Sequence, residues 1–531
     1  GNLHCHISSY TGRSFDFSMN CLIPDFVLNC YYLWKSDSSR EPRELRNGET
    51  MLFNSMTFAI FLPVVFLLYY ALPHKYRWIF LLVASYVFYM NLHVGYGILL
   101  FLTTVLTYFL ARKLENCTAD TGRRSCLLGG ILPLVLILLF YKTASPLIDR
   151  LNVLIDAGRL PMQPITVRIL LPAGVSFYFF QSMGYLIDVY KKKIPAEKHF
   201  GYYALFVSFF PQLLAGPIGR ADSLLPQYKK ERPFSYENVT YGLRQMAWGY
   251  FKKLVIADVF AAVVDKVYNN AGSYVGLVFI IVTVMFAIEI YCDFSGYSDI
   301  AIGCARLFGI ELMTNFKSPY YSFTIKEFWS RWHISLSTWF RDYVYIPLGG
   351  NRVGRFRHCL NLMITFLVSG FWHGSSLTYI LWGGIHGFLQ IVESFLYPKE
   401  RNGIRLTHKK HWWQLPITFI LLCLSWIFFR ANTIQDALWI LSRLFWDASR
   451  PVNYLKTAVI CLDMPYVSMF GMFFSVVILG IYDYISLKQD VIALISRQNF
   501  LVRWLIYVLL LVVIALFSNK GIATEFIYFQ F

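Results

Sequence analysis

The thirty residues NLMITFLVSGFWHGSSLTYILWGGIHGFLQ (361–390) carry no formal charge yet hold two histidines, His373 and His386. An ionisable group in so apolar a run is a functional candidate, because such surroundings tolerate it only where it meets water or a partner. A neutral imidazole in a partly desolvated site can take a proton from a hydroxyl, a role that contributes typically about 10²–10⁴-fold to a rate. The alternative for His373 is a histidine satisfied by a neighbouring helix. If the run is one helix, Ser369 at i−4 and Ser376 at i+3 share its face and form a polar stripe. His386 then falls about 220° around and about 20 Å along that helix, so it reads as a packing or interfacial residue. His333 lies forty residues upstream of His373 in KEFWSRWHISLSTWFRDYVYIPLGGNR (326–352). Only tertiary packing can join the two, and the alternative is an interfacial histidine beside Trp332.

The same segment and its continuation hold Arg331, Arg341, Arg352, Arg355 and Arg357. These could hold phosphate groups through charge-assisted contacts, or form a topology-setting loop on lipid headgroups. Asp293 and Asp299 in YCDFSGYSDIAIG (291–303) are too polar for lipid and should pair with arginines or cap a helix. No Ser-His-Asp order and no nucleophile elbow appears, which disfavours a covalent serine nucleophile on this chain. The ten cysteines include no CxxC pair, so neither a disulfide framework nor a metal site is suggested.

The elements that must position these groups are membrane helices. The 531 residues are 56% hydrophobic and 15% charged, with a mean hydropathy of +0.48, against about 25% charged in soluble chains. Apolar runs lie near 56–72, 78–92, 97–111, 126–142, 169–190, 200–215, 241–264, 274–292, 360–396, 412–429, 467–485 and 501–518. Runs of about 20 residues span a hydrocarbon core of about 30 Å, which predicts an all-α polytopic protein with about eleven crossings. The net charge of +17 is spread over connections, as in basic cytoplasmic loops, and brings no nucleic-acid motif. The basic links HKYR (74–77), 112–124 and Lys191, Lys192 and Lys193 then face the cytoplasm, with Met51 on the outer side. Residues 1–50 contain no run as long as a span and read as a disordered extension or a mis-assigned start before a domain covering 51–531. Two stretches resist simple spanning: FPQLLAGPIGR (210–220), whose prolines and glycines free backbone groups that must be buried in protein, and 326–352, whose charge and tryptophans suit an interfacial or re-entrant helix.

These blocks are recognisable. MLFNSMTF, LLPAGVSFYFFQSMGYLIDVY (170–190), FPQLLAGPIGR, YCDFSGYSDIAIG, FWSRWHISLSTWFRDYVYIPLGGNR (328–352), SGFWHGSSLTYILWGGIHG (369–387) and WIFFRAN (426–432) resemble, in order, the membrane-bound O-acyltransferase (MBOAT) family, and within it the alginate O-acetyltransferase-like branch. The resemblance runs from Met51 to the C-terminus. It implies the MBOAT fold, with helices around a central tunnel, and matches the family's two functional histidines to His373 and His333. It also implies transfer of an acyl group, most simply acetyl from acetyl-CoA with no permanently bound cofactor, toward an exported or cell-surface polysaccharide. The setting would be the bacterial inner membrane, with a periplasmic SGNH-hydrolase-like partner. A D-alanyl transferase of teichoic acid is the nearest competitor. From another class, a transporter or export channel for a lipid-linked saccharide competes, although no internal repeat supports it.

Overall fold

The computed structural model describes residues 51–159, 162–166, 171–397, 400–401, 404–405, 410–462, 464–517 and 526; the expected extension at 1–50 lies outside them. The described residues are helical apart from turns and one two-residue antiparallel pairing, Glu400–Arg401 with Ile404–Arg405. Helices α1 (Met56–Ala71), α2 (His74–Leu92), α3 (Val94–Asn116) and α4 (Asp120–Asp156) run back and forth through short links. The amide of Met51 donates to Asn91 Oδ1 at 2.7 Å, so the start of α1 and the end of α2 share one end of the molecule. Helix α5 (Val175–Tyr190) returns to the opposite end, where Arg123 donates to the Tyr190 carbonyl at 2.7 Å.

The apolar run at 200–215 is broken into α6 (Phe200–Ser208) and the single turn α7 (Phe210–Leu213). The backbone beyond it, through Gly219, is buried, as freed amides and carbonyls in a membrane require. Part of the reason is a close approach at Gly174, which enters α5 with φ +77°. A Cβ there would meet the Leu213 carbonyl oxygen and lie 2.9 Å from Leu214 Cα.

Helix α8 (Ala221–Lys229) leads to α9 (Tyr236–Tyr250), a π-type turn at Phe251–Ala257 and α10 (Asp258–Tyr268), so the run at 241–264 is also interrupted. All three pack on α11 (Leu277–Leu307), a long, largely buried helix. Its first half enters one apolar core with Phe260, Phe286 and Trp426, and its second half enters another with Phe58, Phe88 and Tyr185. Asp293 and Asp299 sit at the junction, where they pair with lysines and not with the expected arginines. Lys253 Nζ lies 2.6 Å from Asp293 and 2.8 Å from Asp258, and Lys252 Nζ lies 2.5 Å from Asp299 and 2.8 Å from Ser295 Oγ. The π-type turn carries both consecutive lysines, each with a carboxylate on α11, and paired charges are the form in which an interior accepts them.

The 326–352 stretch forms α12 (Ile325–Arg331) and α13 (Ile334–Phe340), broken at His333, and then a second π-type turn. Helices α14 (Arg355–His373) and α15 (Leu377–Leu396) make an antiparallel hairpin, followed by α16 (Gln414–Arg430), α17 (Ile434–Arg443), α18 (Pro451–Leu462), α19 (Tyr466–Ser486), α20 (Val491–Ser496) and α21 (Phe500–Phe517). Five described stretches are long and apolar enough to cross a bilayer alone: α3, α4, α11, Ser468–Ser486 within α19, and α21. Helix α21 buries none of its side chains, and α19 leaves Phe470, Phe473 and Phe474 exposed, as a lipid-facing surface would.

Candidate active site

The run at 361–390 is two helices, which corrects the single-helix geometry drawn from the sequence. Helix α14 ends at His373 because Gly374 is extended, and Ser376 caps α15 by accepting from the Thr378 amide at 3.4 Å. Ser376 therefore does not extend a stripe from His373. The hairpin closes tightly: a Cβ on Gly370 would strike the Tyr379 carbonyl, and one on Gly383 the Phe366 carbonyl. The fold back along α14 brings His386 near His373, with Trp382 between them at ring separations of 5.0 Å and 4.9 Å.

His386 is fully buried with both nitrogens engaged. Trp329 Nε1–H donates to Nδ1 at 3.2 Å, so the neutral ring carries its proton on Nε2, which faces Ser425 Oγ at 3.1 Å; Ser425 in turn donates to the Leu422 carbonyl at 2.7 Å. A ring with its lone pair already occupied packs and does not abstract protons, so the separation argued from helix geometry fails while the packing role stands.

His373 ends α14 in T-shaped contact with Trp372, Trp382 and Phe429, at ring separations of 4.7, 5.0 and 5.3 Å. It lines a cleft of about 30 Å³, room for about two waters, together with Lys142, Gly174, Ser176, Phe177 and Trp372. His333 also packs on Trp372, 6.2 Å from it, and meets Phe177 and Phe294. The forty-residue gap is thus closed by packing.

The backbone of His333 is left-handed, with φ 42°, which costs an L residue about 1–2 kcal/mol. Asn315 holds it there. The Asn315 carbonyl accepts from the Ile334 amide at 2.9 Å, while its Oδ1 accepts from the Ser335 amide at 3.1 Å and the Ser335 hydroxyl at 2.9 Å. Because Oδ1 is thereby fixed as the acceptor, the His333 Nδ1 facing it at 3.1 Å must donate. That assigns the tautomer with the lone pair on Nε2. Nothing in the periodicity of the sequence singled out Asn315.

The arginines divide. Arg331 is tied to Glu327 at 2.8 Å and Arg341 to Asp342 at 2.8 Å, while Arg352, Arg355 and Arg357 are exposed. Asp342 also holds Arg220 at 3.1 Å, and Tyr343 bonds both Arg220 and Asp188, the latter at 2.6 Å. The two irregular stretches are therefore locked together beside Lys191 and Lys193, whose ammonium groups lie 5.8 and 5.9 Å from the Tyr343 ring centre. The arginine-bearing turn thus shares the basic end of the molecule. His373 closes the helix that Arg355 opens, about 27 Å away at 1.5 Å per residue.

Residues 191–402 match the model of MBOAT, the membrane-bound O-acyltransferase family. The chain is 39% identical over 395 residues to the probable alginate O-acetylase AlgI of Pseudomonas aeruginosa, covering 73% of each. It is 33% identical over 525 residues to the peptidoglycan O-acetyltransferase of Helicobacter pylori, covering 91% of this chain and 98% of that one. The teichoic acid D-alanyltransferase of Streptococcus thermophilus is 29% identical over 48% of this chain and 67% of its own length. With its bilayer-length helices and these relatives, the chain belongs to the membrane-bound O-acyltransferase family.

Proposed function

We propose that the enzyme moves an acetyl group from a cytoplasmic thioester, acetyl-CoA, toward hydroxyls of an exported or cell-surface polysaccharide across the bacterial inner membrane. The observation that carries this reading is the depth of the two histidines. His333 lies ten residues before Tyr343 at the basic end, about 15 Å into the protein at helical rise, and His373 lies beyond it on a cleft toward the other end. Charge bias puts the basic end in the cytoplasm, so a donor would enter past His333 and an acceptor would approach at His373.

In that arrangement the His373 imidazole takes the acceptor hydroxyl proton as the oxygen attacks the thioester carbonyl. The new C–O bond forms, the C–S bond breaks, and the proton passes to the departing thiolate. His333 orients the thioester donor by accepting a hydrogen bond at Nε2, with its ring direction set by Asn315. Arg341 and Arg352 at the basic end hold the coenzyme A phosphates, with Arg331, two residues from His333 and tied to Glu327, deeper on the same path, and Arg352, Arg355 and Arg357, being exposed, are the best placed of the cluster. A periplasmic SGNH-hydrolase-like partner completes delivery. The greater identity and coverage of the acetyl-transferring relatives favour acetyl over D-alanyl.

The test is reconstitution in vesicles with labelled acetyl-CoA on the arginine side and polysaccharide with the partner on the other. Label should reach the polymer. Saccharide flux without thioester consumption would instead support the transporter reading.

A further inference from the structure

Acyl transfer leaves one charge without a partner. As the acceptor oxygen attacks the thioester, an electron pair of the C=O bond moves onto the carbonyl oxygen, and that oxyanion is stabilised best by donors already in place. Neither histidine supplies one. His333 spends its Nδ1–H on Asn315, and His373 is taking the acceptor proton.

Donors gather on the cleft beside His373, which no acidic side chain lines. Lys142 on α4 reaches it, makes no ion pair among the described residues, and holds its ammonium 6.0 Å from the Trp372 ring centre. The Ser375 hydroxyl, two residues past His373, donates to the Lys142 carbonyl at 3.0 Å and fixes α4 against the turn that ends α14. A lone cation in a membrane body is costly unless it meets a negative charge.

The first turn of α5 lines the same cleft with Gly174, Val175, Ser176 and Phe177. The Val175 amide donates to the Pro172 carbonyl, and the Phe177 and Tyr178 amides donate to that of Gly174. The Ser176 amide is left over, as a first-turn amide has no helical carbonyl to bond, and it stands at the positive end of the helix dipole. Gly174 holds this turn close against Leu213 and Leu214. Trp372 is an independent sign of a missing acceptor: its indole N–H is buried, on a residue 8% exposed, and finds none among the described residues. Phe180 stacks on that ring at 5.6 Å and fixes its direction.

We infer that the Lys142 ammonium and the Ser176 amide form the oxyanion site of the transfer, with the Trp372 indole N–H as a third donor. The inference rests on the acyl-transfer reading above and deepens it by naming further catalytic groups. The carbonyl oxygen gains the C=O pair as the new C–O bond forms, rests against Lys142 and Ser176, and returns the pair as the C–S bond breaks. The thiolate takes the proton held by His373, so Lys142 keeps its own protons throughout and acts by charge alone.

The probe is trifluoroacetonyl-CoA, whose carbonyl adds water and becomes tetrahedral, against acetonyl-CoA, whose carbonyl stays trigonal, on the full-length protein in nanodiscs. Wild type should bind the tetrahedral analogue about 10²-fold or more tightly. Lys142→Met should cut that preference about 10-fold or more, the scale of a hydrogen bond to a charged group, while acetonyl-CoA binds as before and so reports a folded site. Lys142→Arg should keep part of it. Equal binding of the two analogues by wild type would overturn the site whatever the variants do, and so would a Lys142→Met protein that weakens both alike. In thioester turnover, Lys142→Met should lower kcat about 10²–10³-fold with KM for acetyl-CoA nearly unchanged. A normal kcat with a raised KM would make the cation a binding group and also overturn the proposal. If wild type consumes no thioester, acyl transfer fails as the function, while the contrast between the analogues still decides the oxyanion site.

Discussion

Replacing Asn315 with Leu tests whether the orientation of His333 contributes to the chemistry. Asn315 is fully buried, and its Oδ1 takes hydrogens from the Ser335 amide, the Ser335 hydroxyl and His333 Nδ1 at 3.1, 2.9 and 3.1 Å. Leucine keeps a similar volume but accepts nothing. The Ser335 amide then stays buried without its acceptor, a cost of about 1–3 kcal/mol in stability. The bias toward Nδ1–H in His333, worth about 1 kcal/mol as one net hydrogen bond, disappears as well, which shifts the tautomer ratio about 5-fold and lowers the productive tautomer's population about 2–3-fold. The left-handed backbone at His333 also loses part of its restraint. The expected outcome is a lower melting temperature together with a kcat reduced about 2–5-fold per folded molecule, with little change in KM for the thioester. The assay is thioester release by purified protein, normalised to the folded fraction from melting curves on the same sample. Wild-type kcat in a folded Asn315→Leu protein would refute the assigned tautomer as a functional feature.

Other changes separate structural from chemical roles. His386→Ala removes a fully buried ring and its bonds to Trp329 and Ser425, so it should cost about 2–4 kcal/mol of stability while turnover per folded molecule falls only a few-fold. Inactivity equal to that of His373→Ala at matched folded protein would return His386 to the chemistry. Gly174→Ala forces a Cβ onto the Leu213 carbonyl at φ +77°, and should lower both expression and melting temperature because the strain cannot relax without moving the start of α5. A protein beginning at Met51 should insert and turn over thioester as the 531-residue chain does, since residues 1–50 hold no span-length apolar run; failure to insert in membrane fractionation would contradict that.

Much of the helical body was readable because long apolar runs have few alternatives in a membrane, and His373 stood out as an ionisable group among apolar neighbours. What the sequence hid were tertiary events. The break at Gly374 falls inside a charge-free run, so HGSS read as helix, and the fold-back that sets His386 beside Trp382 could not be seen. The partners of Asp293 and Asp299 come from Lys252 and Lys253, two consecutive lysines whose placement depends on a π-type turn without a sequence signature. Asn315 lies in a connection with no periodicity. Lys142 did have a signal, a lysine at the end of the apolar run 126–142, and the reasoning that picked out His373 applies to it equally. The His373 and His333 pairing came from family resemblance; spacing alone left it open.

Acyl transfer by His373 is tested most directly by thioester turnover and donor affinity measured together in purified His373→Ala. The account predicts that turnover falls by about 10²–10⁴-fold, with melting temperature near wild type and coenzyme A affinity largely retained, because the phosphates bind at the arginine end and not at the reacting carbonyl. Wild-type turnover in a folded His373→Ala protein would contradict it.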